Sequence, residues 1–123
     1  MKIILNLNEK RFCRNQVFEL AIQAAQNGDR ELHRGLMRLA DKFSDTHTFS
    51  PIHRYEAEML VSLTSKTLEQ LKTEVIPKIE KSTSTEEEKA KTLGMAKEIV
   101  TSAETVLNVL TEKLNETIGN SSK

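Results

Sequence analysis

Residues 85–118, TEEEKAKTLGMAKEIVTSAETVLNVLTEKLNETI, decide the fold of this chain. Ala96 and Ala103 lie between apolar residues that recur seven apart. Such a heptad repeat predicts one helix about 50 Å long. Its apolar face is broad enough to meet more than one neighbour. We expect the following residues to form the core or a self-association surface: Leu93, Val100, Leu107, Leu110 and Leu114.

A second long helix precedes this stretch and is predicted to be its antiparallel partner. Ser50-Pro51 is a typical helix start, because the serine hydroxyl can cap free amides and proline fits the first helical position. The apolar stripe that follows predicts a helix that ends near Ile76 or kinks at Pro77. Since the two helices match in length, residues 50–118 are predicted to form a long helical hairpin.

The first half of the chain predicts a shorter helical hairpin. Across residues 9–26, apolar side chains recur at three- and four-residue steps, which is typical of an amphipathic helix. Gly28 can adopt the left-handed conformation that closes this helix, and Asp29 can cap the next one. The apolar stripe of the second helix runs to Phe43, and residues 44–49 are predicted to be a loop.

Alternating side chains at the N-terminus predict a short strand. Ile3, Leu5 and Leu7 alternate with more polar positions. The rest of the sequence offers no recognisable second strand. Residues 2–8 would therefore pair with another copy of the chain, lie as an extended arm against the helices, or not form a strand. The first of these arrangements predicts a homodimer.

Together these segments predict a mainly α fold. We expect four helices, a short N-terminal strand or extended arm, and a long C-terminal antiparallel helical hairpin. A chain of 123 residues has room for one core. We therefore predict a single domain over residues 1–118, in which residues 1–45 hold the strand or arm and a helix-turn-helix-like hairpin, and residues 50–118 the long hairpin. Residues 119–123 are expected to be a frayed tail.

Composition excludes some classes of function. The chain has 18 Lys and Arg residues against 18 Asp and Glu residues, so bulk positive charge cannot drive nucleic-acid binding. Cys13 is the single cysteine, which favours a reducing compartment. The sequence has no signal-peptide pattern and no apolar run long enough to span a bilayer. We expect a cytoplasmic protein that does not associate with membranes.

Side chains suited to specific recognition are concentrated before residue 56. Every aromatic residue, histidine and arginine lies there. Four basic residues on the second helix are spaced four apart and form one stripe: Arg30, Arg34, Arg38 and Lys42. A stripe opposite an apolar face is common on any solvated helix, and it can also bind phosphates or an acidic partner. We predict that this stripe binds a protein partner.

The order strand, helix, helix across residues 2–43 resembles the ribbon-helix-helix DNA-binding proteins, in which paired strands from two subunits enter the major groove. The resemblance covers about a third of the chain, and it implies that Lys2, Asn6 and Asn8 face the bases. The sequence departs from the family in a longer first helix and in Ile4 on the groove side. A dimeric DNA-binding regulator with a C-terminal oligomerisation hairpin is the alternative prediction.

Residues that could carry chemistry are scattered. Cys13 and the three histidines, His33, His47 and His53, lack the spacing of metal ligands, and no glycine-rich phosphate loop occurs. Cys13 lies on the apolar stripe of the first helix, as a small buried hydrophobe would. We therefore expect no metal, no cofactor and no enzymatic activity. The main prediction is a small protein-interaction module, such as an adaptor, assembly factor or inhibitor, that presents helix faces.

Overall fold

A computed structural model describes residues 1–121, and residues 117–121 only by their helical backbone. The chain is mainly helical, as the sequence predicts, and its long C-terminal helix is confirmed. The elements in chain order are β1 (Lys2–Ile3), α1 (Leu7–Gln26), α2 (Arg30–Asp41), β2 (Ser50–Pro51), α3 (Arg54–Gln70), a π-helical turn (Leu71–Val75), α4 (Ile76–Glu80) and α5 (Glu86–Ser121).

Helix α5 is the longest element, with 36 residues and a length of about 54 Å. It packs along α3 and α4 as a hairpin, and Lys72 pairs with Glu104 across it at 3.2 Å. α5 continues through Ser121, beyond the start of the predicted frayed tail at residue 119. The last two residues of that tail lie outside the described residues.

The heptad residues of α5 are buried to different degrees. Leu110 is 1% exposed and belongs to the core. The other four residues of the predicted core or self-association set are half-buried: Leu93, Val100, Leu107 and Leu114. The fully buried positions beside Leu110 are Ala96, Ala103 and Val106. The most deeply buried side of α5 therefore lies to one side of the row of residues that recur seven apart.

A proline explains the π-helical turn between α3 and α4. Pro77 has no N–H, and in a regular α-helix its ring would clash with the carbonyl of Thr73. In the structure, the N–H of Ile76 donates instead to the carbonyl of Leu71, five residues earlier. The wider turn makes room for the ring, so the helical path continues to Glu80. Of the two predicted alternatives, an end near Ile76 is wrong, and in place of a simple kink at Pro77 the structure has a π-helical turn just before it.

Helices α1 and α2 form the predicted short hairpin. Gly28 closes α1 with a φ of 79°, in the left-handed region that glycine adopts without strain. The side chain of Asp29 accepts a hydrogen bond from the N–H of Leu32 at 3.1 Å and caps α2. Nδ1 of His33 lies 2.9 Å from the carbonyl oxygen of Ala21, which joins the two helices directly.

The N-terminal strand has a partner in its own chain, which corrects the prediction. β1 pairs antiparallel with β2, and Ile3 lies opposite Ser50. β1 ends at Ile3, and α1 begins after Asn6, whose side chain accepts from the N–H of Glu9 at 2.8 Å. Lys2 and Ile3, which were expected to require a second copy, pair instead with residues of the same chain. The unpaired-strand argument for a homodimer is therefore lost.

The start of α3 was also predicted at the wrong place. Ser50-Pro51 forms β2, where proline is tolerated because the strand lies at the edge of a two-stranded sheet. α3 begins at Arg54, after His53, whose N–H donates to Oε1 of Glu56 at 2.8 Å. A capping residue followed by proline thus occurs here in a strand.

One core joins the β1–β2 pair, both hairpins and the loop between the hairpins. The N-terminal amine of Met1 donates to the carbonyl of Ile52, and the N–H of Ile52 donates to the carbonyl of Met1, both at 2.9 Å, which extends the pairing of β1 with β2. The largest fully buried apolar side chains come from every region: Ile3, Val17, Leu39, Phe43, Ile52, Leu60, Val106 and Leu110. Within the described residues, no helix is long and apolar enough to cross a membrane.

Candidate functional site

The arginine face of α2, defined as Arg30, Arg34 and Arg38, is the main candidate site. The three residues are spaced one helical turn apart and all are exposed. The opposite side of the helix is buried at Leu36, Leu39 and Ala40. Since α2 packs mainly against α1, its arginine face points away from the rest of the molecule.

These three arginines differ from the other three in the chain. Arg11 and Arg14 both pair with Asp45, at 3.4 and 3.2 Å, and Arg54 pairs with Glu58 at 3.1 Å. Among the described residues, no ion pair or hydrogen bond satisfies the guanidinium groups of the arginine face. The unpaired arginines of the chain are therefore concentrated on one helix.

Lys42 does not belong to this face, which corrects the predicted set of four. It lies just after α2, is half-buried, and its Nζ lies 2.8 Å from Oε1 of Glu56. The side chain of Glu56 is only 7% exposed. A buried carboxylate requires a charged or hydrogen-bonding partner, so Lys42 is held in the interior joint between α2 and α3.

The margins of the arginine face are mixed. Glu31 and Asp41 lie three residues from Arg34 and Arg38 respectively, but neither makes an ion pair within the described chain. Met37, three residues after Arg34, is 36% exposed at one edge of the row of arginines. The face therefore offers forked donors beside an apolar side chain, a composition enriched in protein interfaces.

A groove between α1 and α5 is the second feature, and sequence reasoning missed it. It has a volume of about 650 Å³, and Phe12 and Ile99 are its apolar lining residues. Glu19 on α1 and Glu98 on α5 are exposed at its walls. The remaining lining is rich in amides and hydroxyls, including Asn15. Its residues come from distant parts of the sequence, and no single stretch carries a pattern that predicts it.

The residues of the ribbon-helix-helix alternative do not share a strand. Lys2 is in β1, with its Nζ 4.9 Å from the ring centre of Phe49. Asn6 caps α1 and its Nδ2 donates to Glu9 at 2.7 Å. Asn8 is in the first turn of α1 and lines the groove. The strand on which that resemblance depends is short, since β1 spans two residues, and it already pairs with β2 of its own chain.

The segment before β2 is held by side chains that the sequence analysis did not single out. Nζ of Lys10 donates to the carbonyl of His47, and Arg14 donates to the carbonyl of Phe43 at 3.3 Å. Asp45 receives Arg11 and Arg14 together. A basic patch on α1 therefore serves to fix this segment, and it leaves the arginine face as the unpaired positive surface of the first half.

Cys13 and the histidines do not form a reactive centre. Cys13 is 1% exposed, and burial, with a smaller contribution from the charge of Glu9, raises its pKa to about 12. The thiol is therefore protonated at neutral pH and a poor nucleophile. His53 stacks on Tyr55 with ring centres 5.6 Å apart. Across the described residues, no group of three or more His, Cys, Asp or Glu side chains is arranged to hold a metal ion.

No family model, curated protein or solved structure matches this chain. The interpretation of the arginine face and of the groove therefore depends on their own geometry and chemistry.

Proposed function

We propose that the protein is a small non-enzymatic interaction module, of the adaptor, assembly-factor or inhibitor type, whose arginine face binds an acidic surface of a protein. The observation that carries this proposal is the division of the arginines, three paired within the chain and three unpaired on α2. Arginine is well suited to such a face because its planar fork binds carboxylates with two parallel hydrogen bonds.

A protein is favoured over DNA as the partner. Glu31 and Asp41 flank the arginines and would repel a phosphate backbone, and the chain as a whole has no net charge. Met37 adds an apolar contact that a phosphate backbone does not use. The proposal includes a cytoplasmic location, where the buried thiol of Cys13 stays reduced.

Fluorescence anisotropy with a labelled helical peptide tests this proposal. The peptide carries glutamates one helical turn apart, and the matched probe has glutamine at the same positions. We expect the wild-type protein to bind the glutamate peptide more tightly than the glutamine peptide. We expect the triple variant Arg30→Glu, Arg34→Glu, Arg38→Glu to bind it about tenfold more weakly or worse, since several ion pairs are replaced by repulsions.

The control is a triple variant with the same change of net charge elsewhere, Lys66→Glu, Lys91→Glu, Lys97→Glu, at exposed positions of α3 and α5. It should bind the peptide nearly as well as wild type. Equal losses in the two triple variants would mean that only bulk charge matters, and would refute the arginine face. Tighter, strongly salt-dependent binding to a DNA duplex would favour the DNA-binding alternative instead.

A further inference from the structure

The groove between α1 and α5 is opposite in charge to the arginine face. It contains the carboxylates of Glu9, Glu19 and Glu98 and the guanidinium of Arg11, which is already paired with Asp45. Within the described residues, Glu19 and Glu98 have neither an ion pair nor a hydrogen bond. The groove therefore offers two unpaired carboxylates on facing walls.

The apolar parts of the two surfaces also correspond. Phe12 is half-buried in the groove, and Ile99 is 44% exposed at its wall. Met95, one turn before Ile99 on α5, is 53% exposed. Met37 lies at the edge of the arginine face. Each surface thus places an accessible apolar side chain beside unpaired charges, basic in the arginine row and acidic at Glu19 and Glu98 in the groove, as complementary sides of an interface do.

We propose that the partner of the arginine face is a second copy of this chain, which receives Arg34 and Arg38 in its groove between α1 and α5. This inference rests on the proposed function, and it names the acidic partner. Met37 would then contact the apolar groove residues Phe12 and Ile99. The homodimer expected from an unpaired strand is replaced by self-association through these two surfaces.

The positions of the two surfaces determine the symmetry of the contact. Successive residues of a helix are turned by about 100°, so the groove side of α1 lies roughly opposite its buried side. The groove residues on α1 centre on Asn8, Phe12, Asn15 and Glu19, with Glu9, Arg11 and Gln16 beside them, and the buried apolar residues are Cys13, Val17, Ala21 and Ala24. α2 packs on the buried side, where His33 contacts Ala21. Surfaces on opposite sides make head-to-tail contacts, which extend beyond two copies.

Sedimentation velocity over a range of concentrations and ionic strengths tests the proposal. We expect the mass to rise past two chains with concentration at low salt, and to fall towards one chain at high salt. Two double variants reverse one surface each: Arg34→Glu with Arg38→Glu on the arginine face, and Glu19→Arg with Glu98→Arg in the groove. Each double variant should associate about tenfold more weakly than wild type, or worse. The double variant Lys66→Glu, Lys91→Glu is the matched control and should behave as wild type.

Mixing the two reversed variants is the decisive step. When the two variants alternate, the reversed acidic face of one meets the reversed basic groove of the other, and the unchanged arginine face meets the unchanged acidic groove. Every contact then joins opposite charges, so association should return to about the wild-type level. Failure of the mixture to recover would overturn the pairing of these surfaces, and a mass that stops at two chains would overturn the head-to-tail contact. A wild-type protein that stays monomeric would refute self-association, whereas the peptide assay still decides the proposed function separately.

Discussion

The two halves of the molecule are held together by different interactions. In the first half, Lys10, Arg14 and Lys42 reach across the fold to carbonyl or carboxylate oxygens of residues 43–56. In the C-terminal hairpin, burial is carried by periodic apolar positions such as Leu110, and the cross-hairpin ion pair Lys72–Glu104 is about half exposed. A periodic apolar pattern can be read from sequence, whereas long-range polar contacts cannot. This difference explains why the long helix α5 was predicted, whereas the contacts of Lys10 and Lys42 were not.

The largest expected effect is in the hairpin core. Leu110→Ala should lower the free energy of unfolding by about 2–5 kcal/mol, because Leu110 is 1% exposed and its removal leaves a cavity. Leu107→Ala is the matched control, and it should cost clearly less because Leu107 is half-buried. Urea denaturation followed by circular dichroism measures both. Equal losses would contradict the asymmetric burial of the heptad row.

The ion pair between Lys42 and Glu56, which links α2 to α3, should have the next largest effect on stability. Glu56→Gln removes the charge that pairs with Lys42 and weakens the bond to the N–H of His53. We expect a loss of about 1–3 kcal/mol, since Lys42 is left half-buried without its anion. Glu58→Gln, which breaks the exposed pair with Arg54, should change stability by less than about 1 kcal/mol. The same urea titration compares the stability losses of the two variants. A larger loss for Glu58→Gln would refute the stabilising role of the Lys42–Glu56 pair.

The buried thiol of Cys13 gives a pH-dependent effect. Its pKa is raised from 9.0 to about 12 in the folded protein, so the folded state keeps its proton where the unfolded state loses it. The resulting stabilisation is fully present below pH 9 and is lost progressively as the pH rises towards 12. By pH 10 the loss should be about 1 kcal/mol relative to Cys13→Ala, measured by urea titration of both proteins. Parallel pH profiles for the two proteins would contradict a raised pKa.

Two features that depend only on residues close in sequence, the end of α1 and the cap of α2, were predicted correctly. Gly28 and Asp29 close one helix and cap the next as expected, because both effects act within a single turn. The pairing of Ile3 with Ser50 was missed because β1 and β2 have two residues each, too few for a periodic pattern. Lys42 was assigned to the arginine face by its spacing, which carries no information on the distant Glu56.

The smallest expected effect is a comparison of two glycines. Gly35 lies within α2, and a Cβ added there meets nothing within 4 Å, so Gly35→Ala should raise the free energy of unfolding by about 0.5–1 kcal/mol. A Cβ added at Gly28 also meets nothing within 4 Å, but its φ of 79° strains a residue such as alanine. Gly28→Ala should therefore destabilise the protein by about 1 kcal/mol, although neither substitution changes a packing contact. Thermal and urea unfolding of the two variants should give opposite signs. The same sign for both would mean that the turn between α1 and α2 does not hold Gly28 in the left-handed conformation.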